Sequence, residues 1–497
     1  MKKIITRFAP SPTGYIHIGN VRSAIYPYLA ARQSGGKYIL RIEDTDQSRF
    51  VEGATELIME TLRWLGLEWD EGPEVGGESG PYFQSERKEI YLDWAKKLIE
   101  KGRAYADSTD SETIQSYRDA DNAKKIPYLY RNHRPAEAEK SPEEILRTWT
   151  EGVPIRFKAD PKPRSWHDEV MGDLSAGPEV QDDIILIKKD GLPTYNFAHI
   201  VDDFLMGVNM VARGVEYLSS TPNYLALYEA FGIEEPLFVS LPHILAPTGN
   251  KKLGKRDGAK SATAYREDGV LPEAMLNYLA CLGWNDGTEQ EIYTKEELVK
   301  KFSLDRIQNS GARYDEVKLL WMNGQWIRKL VDEKGIDEFY PRTLGFWPKS
   351  ADAYDDTYKK RVLAIIYDRL KVLSDLREMT TYFFEDPKIN LDLLLENKFI
   401  KKTGFSEAEL SSLLETVCSR LETIEEKNWN EENLKLALNE LLETTGRKPA
   451  ELFSLIRIAV SYAPFSPALD LTLSVLGRNV SLSRLRATKS ALLSDQQ

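Results

Sequence analysis

Two short stretches, more than 230 residues apart in a chain of 497, carry residue types suited to handling a polyphosphate. The first runs Arg7-Phe-Ala-Pro-Ser-Pro-Thr-Gly-Tyr-Ile-His-Ile-Gly-Asn20. A short apolar run ends, a Pro/Gly loop turns, and His17 and Gly19 stand just ahead of a helix-like segment. A helix N-terminus offers free N–H groups and a partial positive charge, so it can hold a phosphate. His17 can donate to a phosphate oxygen, and Gly19 lets a nucleotide come close to the backbone. The second stretch is Lys251-Lys-Leu-Gly-Lys-Arg256, four of its six residues cationic, between Ala246-Pro-Thr-Gly-Asn250 and Asp257-Gly258. A basic loop of this kind can close over a pyrophosphate leaving group and neutralise the charge that develops there. Taken singly, a His-x-Gly turn and a basic loop are both common on ordinary protein surfaces. Their co-occurrence is far more specific.

Together they resemble the two signature motifs of class I aminoacyl-tRNA synthetases: His-Ile-Gly-His, here His17-Ile18-Gly19-Asn20, and Lys-Met-Ser-Lys-Arg, here Lys252-Leu253-Gly254-Lys255-Arg256. The flanking text is similar to the glutamyl-tRNA synthetase branch. It includes Arg7–Gly14, Arg41-Ile-Glu-Asp-Thr-Asp46, Asp190-Gly-Leu-Pro-Thr-Tyr-Asn-Phe-Ala198, Asn277-Tyr-Leu-Ala-Cys-Leu-Gly-Trp284 and Trp321-Met-Asn-Gly-Gln325. The resemblance extends over essentially the whole chain. It implies an enzyme that activates L-glutamate with ATP to glutamyl-adenylate and transfers it to the terminal ribose of tRNA-Glu, with Mg²⁺ accompanying the ATP. Non-discriminating members also load tRNA-Gln, and the sequence leaves that choice open.

Free glutamate has two carboxylates and an ammonium, so its pocket needs two cationic groups and one anionic group. Arginine suits carboxylates because its planar fork donates two parallel hydrogen bonds. The resemblance places Arg7, Ser11, Glu43, Tyr195, His199 and Arg213 around glutamate, with Glu43 receiving the ammonium and Arg213 favoured for the side-chain carboxylate. It places His17, Gly19, Glu216, Lys252, Lys255 and Arg256 around ATP, with His17, Lys252 and Lys255 acting in catalysis. Outside this context Glu43 and Arg41, two apart on a strand, would read as a simple ion pair.

The elements that must position these residues follow from periodicity. Lys3–Ala9 reads as a strand, Asn20–Gln33 as a helix stopped by Gly35-Gly36, Lys37–Glu43 as a second strand, and Val51–Leu65 as a second helix closed by Gly66. That alternation opens a doubly wound α/β sheet of the Rossmann type. The expected layout is a catalytic domain over 1–75 and 183–247, the sheet resuming at Asp183–Lys188. An inserted acceptor-end-binding domain spans 76–182, a signature-loop and stem-contact domain 248–316, and an all-helical anticodon-binding region 317–497. Within the last, Lys359–Asp375, Glu407–Leu421 and Asn433–Leu442 read as helices. Pro27 falls inside the first helix, where an interior proline costs about 3 kcal/mol or kinks the axis.

Composition sets outer bounds. Net charge is −12, which neither supports nor excludes RNA, because phosphate contacts need only a local basic face. Only Cys281 and Cys418 occur, which excludes a disulfide framework and fits a reducing cytoplasm. No apolar run approaches the roughly 20 residues that span a membrane. Relatives with a zinc site in the insertion build it largely from cysteine; here the stretch reads Ala104-Tyr-Ala-Asp-Ser108, with only His133 and His167 nearby, so no structural zinc is expected. The family resemblance implies a monomer. Two departures stand out: Gly254 replaces the signature serine, and Asn20 the second signature histidine. Glutaminyl relatives carry β-barrel anticodon domains, and a truncated queuosine-modifying relative lacks the C-terminal helices; both fit this chain poorly. The alternative from another class is a tRNA-binding paralogue with lapsed catalysis, which would be expected to lose His17, Lys255 or the glutamate arginines first.

Overall fold

In the computed structural model, residues 2–14, 18–254, 260–463 and 466–494 are described. The chain divides into two compact units, one of residues 1–266 with 272–319, the other of residues 267–271 with 320–497.

The first unit is built on a six-stranded sheet. In chain order the strands of this unit are β1 (Ile5–Phe8), β2 (Lys37–Leu40), β3 (Ala104–Ala106), β4 (Ile155–Phe157), β5 (Arg164–Asp168), β6 (Gly172–Ala176), β7 (Ile185–Ile187), β8 (Met210–Gly214), β9 (Leu237–Leu241), β10 (Ile244–Leu245) and β11 (Ala312–Arg313). The main sheet has the order β2-β1-β8-β9-β5-β6. All its pairings are parallel except the edge hairpin β5–β6. Between β1 and β2 runs the helix Ile18–Ser34, apolar on nearly every side and therefore buried rather than amphipathic. It stops at Gly35, whose φ of +63° is the left-handed conformation that glycine adopts without strain. Next to it, a Cβ on Gly36 would lie 1.9 Å from the Ile4 carbonyl oxygen, so the helix exit can approach β1 only as glycine. Pro27 sits buried inside the helix. It cannot donate to the carbonyl four residues back, that of Ser23, and Ser23 borders the cleft described below.

Two expectations are corrected. Asp183–Lys188 does not resume the main sheet: β7 pairs antiparallel with β4, completing a separate sheet β3-β4-β7. Buried side chains hold it there. Asp183 accepts from Tyr105 at 2.9 Å, from Arg134 at 2.7 Å and from the Ala159 amide at 2.8 Å. Conversely, β5 and β6, inside the expected insertion, form the edge of the main sheet. Their outward-facing polar alternation looked like loop, and β5 joins β9 only at Asp168↔Phe238, with buried Asp168 accepting from the Ser240 amide at 3.2 Å. One apolar cluster runs from Tyr91, Tyr105 and Phe157 to Phe197 and Phe238, so the inserted sheet and the helices of the main sheet share a core. His133 in this region stacks on Tyr117 and bonds Asp121 at 2.7 Å, while His167 lies exposed on β5 beside Asp173.

The second unit contains no strand among its described residues. Its helices include Asp356–Ile366, Asp375–Phe384, Glu407–Glu422, Glu431–Thr445, Pro449–Ser461, Leu469–Leu476 and Arg478–Ser494. The single helix expected over Lys359–Asp375 is broken, because the Asp375 carboxylate accepts from the amides of Lys371 and Val372 at 2.8 and 3.0 Å and turns the chain before the next helix. Leu414, Leu438, Leu455 and Leu485 meet in one core. Trp326 is buried, whereas Trp321 is 41% exposed. Among the described residues no helix is long and apolar enough to cross a membrane.

Candidate active site

Parallel strands of a doubly wound sheet end together, and ligands bind beyond their carboxyl ends. Here β1, β8 and β9 finish at Phe8, Gly214 and Leu241, and their extensions surround a cleft of about 370 Å³. Arg7, Ser11, Glu43, Tyr195 and Arg213 line it on one side; Gly19, Glu216 and Lys252 line it as well. His17, Lys255 and Arg256 lie outside the described residues. His199 is the exception among the expected residues: it does not border the cleft but stands behind Arg213, 1% exposed.

The floor of the cleft is a buried ionic network. Arg7 donates through Nε to both oxygens of Asp203, at 3.0 and 3.2 Å, and through Nη1 to the Ala212 carbonyl at 3.2 Å. Arg41 donates to Asp203 at 2.7 Å and to Glu43 at 3.0 Å, and lies 3.5 Å from Asp202. Asp202 also accepts from Arg87, Gln84 and Tyr91, each at 2.8 Å. Burial alone would raise the Asp203 carboxyl, but Arg7 and Arg41 bring it down to about 2. Glu43 is pushed above the usual carboxylate range by burial, against the pull of Arg41 and Arg7. The pairing of Arg41 with Glu43 and the binding role of Glu43 are thus compatible: one carboxylate oxygen takes Arg41 and the other remains for a ligand.

Arg213, on β8, is held differently. Its guanidinium lies 4.6 Å from the centre of the Tyr224 ring, and its Nη1 is 3.3 Å from His199 Nε2. His199 Nδ1 lies 2.8 Å from the Tyr195 carbonyl oxygen, which only accepts, so Nδ1 carries the proton and Nε2 is the acceptor for Arg213. Burial, then the Arg213 charge, lowers the His199 pKa to about 3, so the ring is neutral. A neutral imidazole orients Arg213 without cancelling its charge. Tyr195 stacks on His199 with centroids 5.0 Å apart and meets the tilted Tyr217 ring at the same distance, walling this end of the cleft.

At the opposite end, Lys252 donates to Glu216 at 3.1 Å, with His243 Nδ1 3.7 Å from the same carboxylate. Lys252 is placed by a bridge to Leu245 of β10, which itself pairs with β11. Burial would raise Glu216, but its own backbone amide and Lys252 lower it.

The tyrosine-walled end of this cleft presents Arg7, Arg213 and Glu43, and its other end Arg22, Glu216 and Lys252, all at the carboxyl end of a parallel sheet. The sequence model described as tRNA synthetases class I (E and Q), catalytic domain, matches residues 3–321. The chain belongs to that family. A second model, described as an anticodon binding domain, matches residues 336–489. Among relatives of this class I synthetase, the glutamate--tRNA ligases of Clostridium botulinum (strain Eklund 17B / Type B) and Clostridium kluyveri are 43% and 40% identical. The alignments cover 98% of this chain in both cases, and 98% and 97% of the relatives. A crystal structure of a glutamate tRNA ligase from Elizabethkingia meningosepticum in complex with its amino acid superposes with a TM-score of 0.86 at 30% identity, covering 99% of this chain and 100% of that one. The glutamate-tRNA synthetase of Elizabethkingia anophelis gives 0.84 at 30% identity, covering 98% and 100%. Class I synthetases use ATP.

Sequence reasoning missed several members of this synthetase's site. Asp202 and Asp203, adjacent on the helix Tyr195–Leu205, lie in none of the quoted motifs but are the buried anchors of Arg7, Arg41 and Arg87. At helical spacing they share a face with Tyr195 and His199 of the pocket motif, beside the buried Phe197, Ala198, Ile200 and Val201.

Proposed function

We propose that this synthetase is a glutamate–tRNA ligase that selects its amino acid by charge balance, and that Arg213 is the group that selects. Arg7, Arg41 and Arg87 carry three positive charges; Glu43, Asp202 and Asp203 carry three negative ones. This network therefore suits the net-neutral ammonium and carboxylate common to all amino acids. Glu43 takes the ammonium, and Arg7 presents an edge that, among the described residues, makes no hydrogen bond. Arg213 is then the excess charge, matched by the second carboxylate of glutamate and by nothing in glutamine. The observation that supports this most is the neutral His199 behind Arg213, where an acid would have cancelled the selecting charge.

The chemistry needs positioning and charge stabilisation rather than a protein nucleophile. One α-carboxylate oxygen of glutamate attacks the α-phosphorus of ATP, the bond to the β-phosphate breaks, and pyrophosphate leaves with its electron pair. The terminal 2′-hydroxyl of the tRNA then attacks the activated carbonyl and AMP departs. ATP lies along Gly19, Glu216 and Lys252, and the family resemblance adds His17, Lys255 and Arg256 as its phosphate ligands. Lys252 would exchange its bond to Glu216 for phosphate oxygens. Ser11 and Tyr195 border the glutamate end. Mg²⁺ would be held mainly by phosphate oxygens: Glu43 and Glu216 are the only carboxylates among the described residues lining the cleft, and neither stands in a group of three metal ligands.

The part of 76–182 built on the separate sheet β3-β4-β7 grips the acceptor end, 248–316 contacts the stem, and 317–497 reads the anticodon, supported by the match of residues 336–489 to an anticodon-binding model. Within the second unit, half-buried Arg457 has its pKa lowered by burial and by neighbouring Arg369, a pairing of like charges suited to an anionic or base-edge ligand. The family resemblance supports tRNA-Glu as substrate, alone or with tRNA-Gln, and action as a monomer in the cytoplasm. The amino-acid assignment is tested by pyrophosphate exchange, with tRNA present, for native protein and Arg213→Gln. Exchange supported by glutamate and not glutamine in the native protein, and lost in the variant, is the expected outcome. Equal exchange with both amino acids would overturn it.

A further inference from the structure

Among the described residues eight arginines are buried: Arg7, Arg22, Arg41, Arg87, Arg156, Arg164, Arg213 and Arg484. Six of them pair with a carboxylate. Arg22 and Arg213 do not, and both border the same cleft. A buried charge without a counter-charge is costly, so a protein that keeps one keeps it for a ligand or an unusual role. Arg213 is accounted for by the second carboxylate of glutamate. Arg22 is not yet accounted for.

Arg22 stands one turn into the helix Ile18–Ser34, 4% exposed, beside the nucleotide end of the cleft. Its Nη1 donates to the Leu282 carbonyl at 3.0 Å and its Nη2 to the Pro242 carbonyl, while Nε has no hydrogen-bond partner among the described residues. Two neutral carbonyls fix the guanidinium but leave its charge uncompensated, and burial lowers its pKa, with Tyr26 opposing. The carbonyl of Pro242 belongs to the chain that leads through β10 to the bridge at Lys252, so Arg22 also ties the first signature segment to the second. We propose that Arg22 is a positioning residue that supplies a fixed positive charge to the nucleotide site, compensated only when the phosphates of ATP arrive. This rests on the assignment of ATP to this cleft.

The test compares binding of ATP with binding of adenosine, which has the same base and ribose and no phosphate, by calorimetry with Mg²⁺ present. Arg22→Gln should weaken ATP about 10-fold or more and leave adenosine within about 2-fold. Equal loss for both ligands, or no loss for either, would overturn the proposal. Arg22→Lys provides a second arm should the first variant not fold. It puts a titratable cation in the same place, so its ATP affinity should fall more steeply than the native protein's between pH 7 and 10, with adenosine unaffected. Glu216, Lys252 and His243 at the cleft and Tyr26 beside Arg22 are common to both proteins and cancel in that comparison. Parallel pH profiles would count against the charge role. A native protein that binds neither ligand would fail the nucleotide assignment itself, whereas native binding with an indifferent Arg22→Gln variant fails only the role of Arg22.

Discussion

Asp203→Asn is the substitution that tests how the glutamate end of the cleft is held. Asp203 accepts two bonds from Arg7 Nε and one from Arg41 Nη1, and Arg41 in turn fixes Glu43. Holding this carboxyl at about 2 instead of 3.8 is worth roughly 2 kcal/mol of folding free energy at neutral pH. That figure covers only the proton. An asparagine also turns an NH₂ towards two guanidinium groups and leaves the network one positive charge in excess, and breaking a buried pair costs about 3–5 kcal/mol. Because the amide keeps one acceptor oxygen, a loss near 3 kcal/mol is expected, read by urea unfolding at pH 7. The functional signature is more specific. With Arg7 and Glu43 no longer fixed, the KM for glutamate should rise by about 30-fold or more. The KM for ATP should stay within about 3-fold, since among the described residues Glu216 and Lys252 bond each other and not the network. Unchanged stability with an unchanged glutamate KM would refute the reasoning. So would an ATP KM that rose in step with that for glutamate.

Arg213→Gln should lower kcat/KM for glutamate by about 100- to 1,000-fold, the cost of removing a buried charged hydrogen-bonding partner, while the response to glutamine rises relative to it; steady-state aminoacylation with each amino acid checks this. His199→Asp should abolish the same preference by neutralising Arg213, and glutamate selectivity retained in that variant would contradict the role given to the neutral ring. His199 also couples folding to pH: its folded pKa of about 3 lies below the ordinary 6.5, so the unfolded chain binds a proton that the folded one does not. Stability should therefore fall as pH drops from about 6.5 towards 3, by up to about 1.4 kcal/mol per pH unit, and His199→Asn should flatten that slope in urea titrations at pH 5 and 7. Lys255→Ala should reduce pyrophosphate exchange by about 1,000-fold with tRNA present, and undiminished exchange would remove Lys255 from the reaction.

Much of the scaffold was legible because local signals agreed with each other. The strand at Ile5–Phe8, the helix ending at Gly35-Gly36 and the strand after it follow from apolar spacing and glycine stops, which tertiary packing did not override. The edge hairpin β5–β6 was not legible, because its residues alternate towards solvent and its tie to the sheet is one buried aspartate, Asp168, which accepts from the local amides of Val170 and Met171 and from the Ser240 amide, distant in sequence. Asp183–Lys188 misled for the reverse reason: an apolar run suits either sheet, and the choice is made by Tyr105 and Arg134 binding Asp183. At the site, motif spacing brought out residues that face the cleft but not those that hold them. Asp202 and Asp203 lie in none of the quoted motifs, and His199 shares the pocket motif yet acts from behind Arg213. Arg22 could not be singled out either, since its distinguishing property is the lack of a carboxylate partner among the described residues.

Aminoacylation with radiolabelled glutamate and ATP, on purified tRNA-Glu and tRNA-Gln in separate reactions, tests the assigned activity most directly. Glutamyl-tRNA should form on tRNA-Glu, and the tRNA-Gln reaction then separates a discriminating ligase from one that charges both. Binding of tRNA with no charging of either would contradict the activity and leave a tRNA-binding protein with lapsed catalysis.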